Sequence, residues 1–305
     1  MKSQPQIKVQ LSLPPAKVSF SEKLRGLWQL VRADKPVGVL LLFWPTLWAL
    51  WIAAEGNPNW YVTLVFILGV LLIRSTGCAV KGYADRRNNL RIVYGCSQPV
   101  ATGIVQPREA IAMMLMLVIT VFFLLSTLSM ATVVMSVVAV LLVGAYLFLR
   151  RFTYFSQIAT ALIIAWIVPL SFTAVDRELN LASLSLFLSA FVWVLIYEIE
   201  HAMAHRVEDM SYGVKTLAVF LNDNDVVVLA ILQGLLLLLF FWTGYLTDRS
   251  WLYFTGTGLT ALFFLRQQQL MRSDRTQGAF LAYLNNNCYG MTVFLIILGD
   301  YMLTR

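Results

Sequence analysis

Nine apolar runs divide this chain, at approximately 37–54, 60–80, 109–128, 131–149, 157–175, 181–202, 226–246, 251–266 and 287–303. Crossing the hydrocarbon core of a bilayer takes roughly 20 apolar residues of helix. Inside lipid no water can satisfy a backbone N–H or C=O, so runs of this length must fold as helices that bond internally. The repeated runs therefore predict an all-α integral membrane protein with about nine transmembrane helices. Of the 305 residues, 59% are hydrophobic and only 13% are charged, which leaves no material for a soluble domain beside the spans. Residues 1–24 are polar and contain prolines, without the short apolar core of a cleaved signal, and are expected to form a cytoplasmic tail. Residues 25–305 are expected to form a single polytopic membrane domain.

The net charge of +7 is a matter of orientation rather than of nucleic-acid binding, because of where the basic residues fall. Lys81, Arg86, Arg87, Arg91 and Arg108, then Arg150 and Arg151, then Arg206 and Lys215, then Arg266, Arg272 and Arg275 all lie in alternate connections. The other connections are short and carry Glu55, Asp176, Arg177, Glu178, Asp248 and Arg249. Positive residues favour the cytoplasmic side, so the N-terminus is expected inside and the C-terminus outside, with an odd number of spans. A bacterial inner membrane fits this arrangement. Cys78, Cys96 and Cys288 have no paired spacing, which argues against a disulfide framework or a thiolate metal site. The segment 24–34 is short and amphipathic, with Leu27, Trp28, Leu30 and Val31 set against Arg25, Arg32 and Asp34, as in helices that lie at a lipid surface. Trp44, Trp48, Trp51, Trp60, Trp193, Trp242 and Trp251 read, taken together, as mostly interface anchors at span ends, while Trp166 and Pro169 sit within a span and read as a kink or pocket wall.

Two polar clusters interrupt the apolar pattern. In the stretch 193–215, WVLIYEIEHAMAHRVEDMSYGVK, a helix-like run ends in Glu198, Glu200, His201, His205, Glu208 and Asp209. Both histidines of the protein are here, and Glu198, His201, His205 and Glu208 follow i, i+3, i+7, i+10, one face of a helix. Lys81, Asp85 and Asn89, spaced i, i+4, i+8, share a face at the end of the second run. Ionisable groups at a membrane helix end are unfavourable and usually mark a function. Two carboxylate-bearing faces can hold a hard cation, and the cation a diphosphate, with Lys81, Arg86, Arg151 and Lys215 pairing with phosphate oxygens. Arg86 or Arg206 taken alone reads equally well as a boundary charge. The Glu-x-x-His spacing is also that of dinuclear carboxylate sites, but those need a second such helix and the chain has no other histidine.

With these residues in view, the chain resembles the UbiA family of intramembrane aromatic prenyltransferases from about Leu27 to Tyr301. The segment 30–50, LVRADKPVGVLLLFWPTLWAL, is similar to the family's Arg-x-Asp-x-Pro-x-Gly start. YLFLRRFTYFSQ at 146–157, then Trp166 and Pro169, and LAYLNNN before the last span, match further family segments in order. The resemblance implies nine helices around a central cavity and two Asp-rich motifs that bind a magnesium–diphosphate on the cytoplasmic side. It implies transfer of a polyprenyl group from polyprenyl diphosphate to a small aromatic acid such as 4-hydroxybenzoate, in ubiquinone-type quinone biosynthesis. By position, Asp85 and Glu198 take the catalytic places. Asp85, Glu198, Glu208 and Asp209 take those of the Mg2+ ligands, and Arg32, Lys81, Arg86, Arg151 and Lys215 those that bind substrate. Both motifs depart from the family pattern: the first keeps one carboxylate, with Lys81 and Gly82 where the family has Asn and Asp, and the second reads Glu198, His201, His205, Glu208, Asp209. Three readings stay open: a transferase with altered metal dependence, a catalytically silent relative that binds a prenyl lipid or partners an active enzyme, and a transporter.

Overall fold

A computed structural model describes residues 19–31, 37–85, 92–93, 96–97, 99–100, 102–149, 153–211 and 213–304. In chain order the elements are α1 (Phe20–Leu30), α2 (Val37–Ala53), α3 (Trp60–Asp85), a two-residue antiparallel ladder of β1 (Ile92–Val93) with β2 (Cys96–Ser97), α4 (Pro107–Ser126), α5 (Met130–Leu149), α6 (Ser156–Ala165), α7 (Ile167–Ala174), α8 (Leu181–Ala204), α9 (Arg206–Ser211), α10 (Leu217–Leu221), α11 (Asp225–Leu246), α12 (Trp251–Leu259), α13 (Ala261–Ser273) and α14 (Gln277–Leu303). Each of the nine apolar runs coincides with helix. Among the described residues, six helical stretches are long and apolar enough to cross a membrane, and two shorter apolar helices cover Gly38–Ala53 and Met130–Tyr146. The run expected at 251–266 is broken at Thr260, where α12 gives way to α13. The run at 157–175 breaks at Trp166, between α6 and α7, as the internal tryptophan and proline led one to expect.

The chain forms two compact units. The first takes Met1–Asp34 and Ile73–Val118. Its core is small: Leu30, Ala79, Val100, Val105 and Ala110, with Leu27, Tyr83 and Ile104 packed against them. Helix α1 starts at Phe20, inside the stretch expected as tail, and its N-terminus is capped where the Ser19 N–H donates to Glu22 Oε2 at 2.8 Å.

The second unit takes Lys35–Leu72 and Ile119–Arg305. Its centre is α8, the most enclosed of the apolar spans, which packs against α2, α6, α7, α10, α11 and α14. Lipid offers no hydrophobic gain for helix association, so close packing and interhelical hydrogen bonds must hold such a bundle together. Small residues serve the first need: Ala161 and Ala165 of α6 and Ala190 and Ala202 of α8 are all buried. Gly290 of α14 serves it too, since a Cβ there would meet Trp44 Cδ1 at 2.5 Å. For the second, the Ser185 and Thr243 hydroxyls join α8 to α11 at 2.8 Å, and Trp48 Nε1 donates to Gly290 O at 3.1 Å. Trp48 and Trp193 are wholly buried, with rings 4.9 Å apart, which corrects their reading as interface anchors. Trp60 and Trp251 are exposed, as anchors should be.

Candidate active site

Helix α8 presents the polar cluster because it outlasts its apolar run. Asn180 caps its start, accepting from the Ser183 N–H at 2.9 Å, and the helix stays regular to Ala204. At His205 the backbone leaves helical geometry (φ −111°, ψ 10°), and α9 begins at once. The turn is held by the Asp209 N–H on His205 O at 2.9 Å and the Val214 N–H on Asp209 O at 2.8 Å. Glu198, His201 and His205 therefore stay on one face of α8, and α9 brings Glu208 back to it. The His201 and His205 rings are 4.9 Å apart, and His205 Nδ1 lies 3.4 Å from Glu208 Oε2.

The two remaining carboxylates turn elsewhere. Glu200 is wholly buried against α14, where its Oε2 accepts from Asn286 Nδ2 at 2.6 Å. Asn286 Nδ2 also donates to Ala282 O at 3.0 Å. Asp209 is only 3% exposed, in contrast to Glu208, whose side chain is 56% exposed. Of the acidic residues in this stretch, Glu208 is the exposed one, and Glu198 is half-buried. Tyr283 of α14 packs on that face, its ring 5.0 Å from His201. From there a row of rings descends into the bundle, Tyr283 to Tyr197 at 6.3 Å, Tyr197 to Trp193 at 5.2 Å and Trp193 to Trp48 at 4.9 Å.

The connections beside this face are fixed by charge. Arg206 pairs with the fully buried Asp225 at the start of α11. Arg275 bonds Asp223 at 2.8 Å and lies 3.7 Å from Asp225. Arg206 is therefore engaged in an ion pair within the fold rather than left as a boundary charge. Lys215 is exposed, with Nζ 5.5 Å from the centre of the Tyr154 ring. Gln157, the last residue of the YLFLRRFTYFSQ segment, is buried and accepts the Leu217 N–H at 3.1 Å, which anchors α10.

Of the residues singled out in the sequence, Glu198, Glu208, Asp209 and Lys215 are described, all in the second unit. Arg32, Arg86 and Arg151 lie outside the described residues, as do the side chains of Lys81 and Asp85. Among the described residues no group of three or more His, Cys, Asp or Glu is placed to hold a metal ion. Sequence reasoning missed Asn286 and Tyr283 as neighbours of the cluster. The signal was in plain view: three consecutive asparagines, 285–287, at the start of the last apolar run, where lipid would not tolerate them without partners.

The UbiA prenyltransferase family model matches residues 42–293. A 4-hydroxybenzoate octaprenyltransferase of Pseudoalteromonas atlantica is 35% identical over 280 residues, covering 92% of this chain and 98% of that protein. One of Nitrosococcus oceani is 38% identical over 266 residues, covering 87% and 93%. Among solved structures, a UbiA homolog from Archaeoglobus fulgidus bound to GPP and Mg2+ superposes with a TM-score of 0.69 at 15% identity, covering 89% of this chain and 99% of the other. The apo UbiA homolog from Aeropyrum pernix K1 gives 0.70 at 16%, covering 87% and 97%. At those identities the solved structures speak for the fold alone.

Proposed function

The chain belongs to the UbiA prenyltransferase family, and from that premise we propose that it transfers a polyprenyl group from polyprenyl diphosphate to 4-hydroxybenzoate or a close aromatic acid, in ubiquinone-type quinone biosynthesis. One observation carries this reading: the Glu198–His201–His205–Glu208 face at the end of the most enclosed helix, where a diphosphate can be held at a membrane boundary while its prenyl tail lies in the apolar interior.

Oxygen donors on one face suit magnesium, which prefers hard oxygen ligands in octahedral geometry and commonly takes the rest of its shell from phosphate and water. Glu198, Glu208 and Asp85 are assigned to that role, while Asp209, being buried, is assigned to holding the turn that presents Glu208. When bound, the ion neutralises charge that grows on the departing diphosphate. The residues do the rest. Lys81, Arg86, Arg151 and Lys215 are assigned to phosphate oxygens, where charge-assisted hydrogen bonds are strongest. Arg32 is assigned to the acceptor's carboxylate, for which its planar guanidinium is suited. The apolar surroundings keep water from the allylic cation until the ring attacks it. In this reading the protein is a multi-pass protein of the bacterial inner membrane, with its N-terminus and its site on the cytoplasmic side.

A silent, lipid-binding relative is the second reading. What favours it is the pair of replacements Lys81 and Gly82 in the first motif, and the engagement of Glu208 by His205 in the second. The deciding experiment is rescue of ubiquinone synthesis in a bacterial strain lacking its own transferase, together with product detection from the purified chain given prenyl diphosphate and 4-hydroxybenzoate. Absence of both rescue and product, with the protein folded and in the membrane, would defeat the transferase reading.

A further inference from the structure

Helix α1 belongs to no part of the site just described, and among the described residues one flank of it is exposed. At about 100° per residue, Gly26 and Leu30 lie on one flank, Phe20, Leu24 and Trp28 on another, and Leu27 between them. Ser21, Glu22, Arg25 and Gln29 fill the remaining polar arc. The first flank is packed inside its unit: Leu30 is 2% exposed against Ala79, Val100, Val105 and Ala110, and a Cβ on Gly26 would meet Ile104 Cγ2 at 2.8 Å. The second flank is bare, with Phe20 82%, Leu24 60% and Trp28 61% exposed. This differs from the sequence expectation, which grouped Leu27 and Leu30 with Trp28 on one lipid-facing side.

We propose that α1 lies in the plane of the membrane surface, with Phe20, Leu24 and Trp28 inserted among the phospholipids and the Gly26–Leu30 flank bracing the end of α3. The occupant is lipid for reasons of place. Lys23 bonds Glu109 at 2.7 Å, and Glu109 stands in the first turn of α4, where its Oε2 also accepts the Gln106 N–H at 2.8 Å. That pair sets α1 at the level where a membrane span begins. On α4 itself Ile111, Leu115 and Met116 are exposed apolar residues of the same unit, so lipid already meets the protein at that depth. An 11-residue helix is about 16 Å long, too short to cross a bilayer, and an apolar stripe opposite a polar arc is the pattern of helices that lie in the interface. Because Leu30 clusters with Ala79 and Tyr83, the strut steadies the turn of α3 that carries Lys81 and Asp85. That consequence rests on the function proposed above, whereas the lipid contact does not.

The test uses the full chain in vesicles of phosphatidylethanolamine and phosphatidylglycerol. A photoreactive benzoylphenylalanine is placed at Leu24 or, as a control, at Arg25 on the polar arc, and adducts are read by mass spectrometry after illumination. Phospholipid adducts several-fold more abundant from position 24 than from 25 are expected. Equal yields, no adduct from 24, or an adduct from 24 to another polypeptide would overturn the proposal. A second measurement needs no altered helix core. The emission lost on Trp28→Ser should be quenched when brominated acyl chains replace ordinary ones, and an unquenched difference would overturn the proposal in the same way. Neither readout depends on prenyl transfer, so its outcome is separate from that of the activity assay.

Discussion

Replacing Asn286 by Leu puts the interior of the bundle to a quantitative test. Glu200 is wholly buried, its Oε2 accepts from Asn286 at 2.6 Å, and among the described residues its Oε1 has no hydrogen-bond partner. Asn286→Leu keeps the side chain's bulk but leaves the buried carboxyl without that donor. A hydrogen bond to a buried neutral group contributes about 0.5–1.5 kcal/mol, and stranding a buried polar group costs about 1–3 kcal/mol. Interhelical hydrogen bonds inside membranes average lower, about 0.6 kcal/mol, because the unfolded state in the membrane also finds partners. Full burial of Glu200 places this pair at the upper end, and a loss of about 2–3 kcal/mol is expected. Removing both polar groups should be far milder, since nothing is then stranded. Glu200→Leu with Asn286→Leu should therefore be more stable than Asn286→Leu alone, and Glu200→Gln, which keeps an acceptor for Asn286, should lie within about 1 kcal/mol of the natural chain. Unfolding by sodium dodecyl sulfate in mixed micelles, followed by far-ultraviolet circular dichroism, gives the free energies. Natural stability for Asn286→Leu, or a double variant as weak as the sum of the singles, would refute the reasoning.

Three further outcomes follow from the same geometry. Glu208→Ala should abolish magnesium-stimulated binding of a prenyl diphosphate without changing stability, whereas Asp209→Ala, at a buried position, should lower the unfolding midpoint; titration calorimetry and denaturant unfolding separate the two, and the reverse pattern would contradict the assignment. Asp225→Ala should destabilise by about 3–5 kcal/mol because it strands Arg206 in a part-buried ion pair, and Arg206→Met combined with Asp225→Leu should recover much of that loss; equal stability of the single and double variants would speak against it. Lys81→Asn with Gly82→Asp should strengthen the magnesium dependence of diphosphate binding, since a protonated lysine cannot ligate a cation while asparagine and aspartate can; calorimetry with and without magnesium checks this, and two ions already bound tightly to the natural chain would refute it.

The sequence alone determined the class of the molecule. Apolar runs of span length can fold in lipid only as helices, so the helical rods and their approximate limits were legible, as was the break at Trp166. The polar cluster at 198–209 was legible as a candidate site for the same reason: charge at a span end needs an explanation. What periodicity could not supply was the azimuth of each helix. It gives the angle between Glu198 and Glu200, but α8 is apolar around its whole circumference, so nothing in the pattern says which of the two turns into the bundle. Only packing decided that Glu200 turns inward to meet Asn286, 86 residues away. The same holds for Trp48 and Trp193: sequence alone does not say whether a tryptophan of a span turns to lipid or to the core, and the packing of α2, α8 and α14 put both inside. Asp209 turned inward and Glu208 outward because the chain breaks at His205, a change of direction set by the bonds that hold α9 and by the Arg206–Asp225 pair. Local chemistry thus wrote the elements and marked the candidate site, whereas which carboxylate turns into the bundle was a property of contacts between residues far apart in sequence, and tertiary structure alone could decide it.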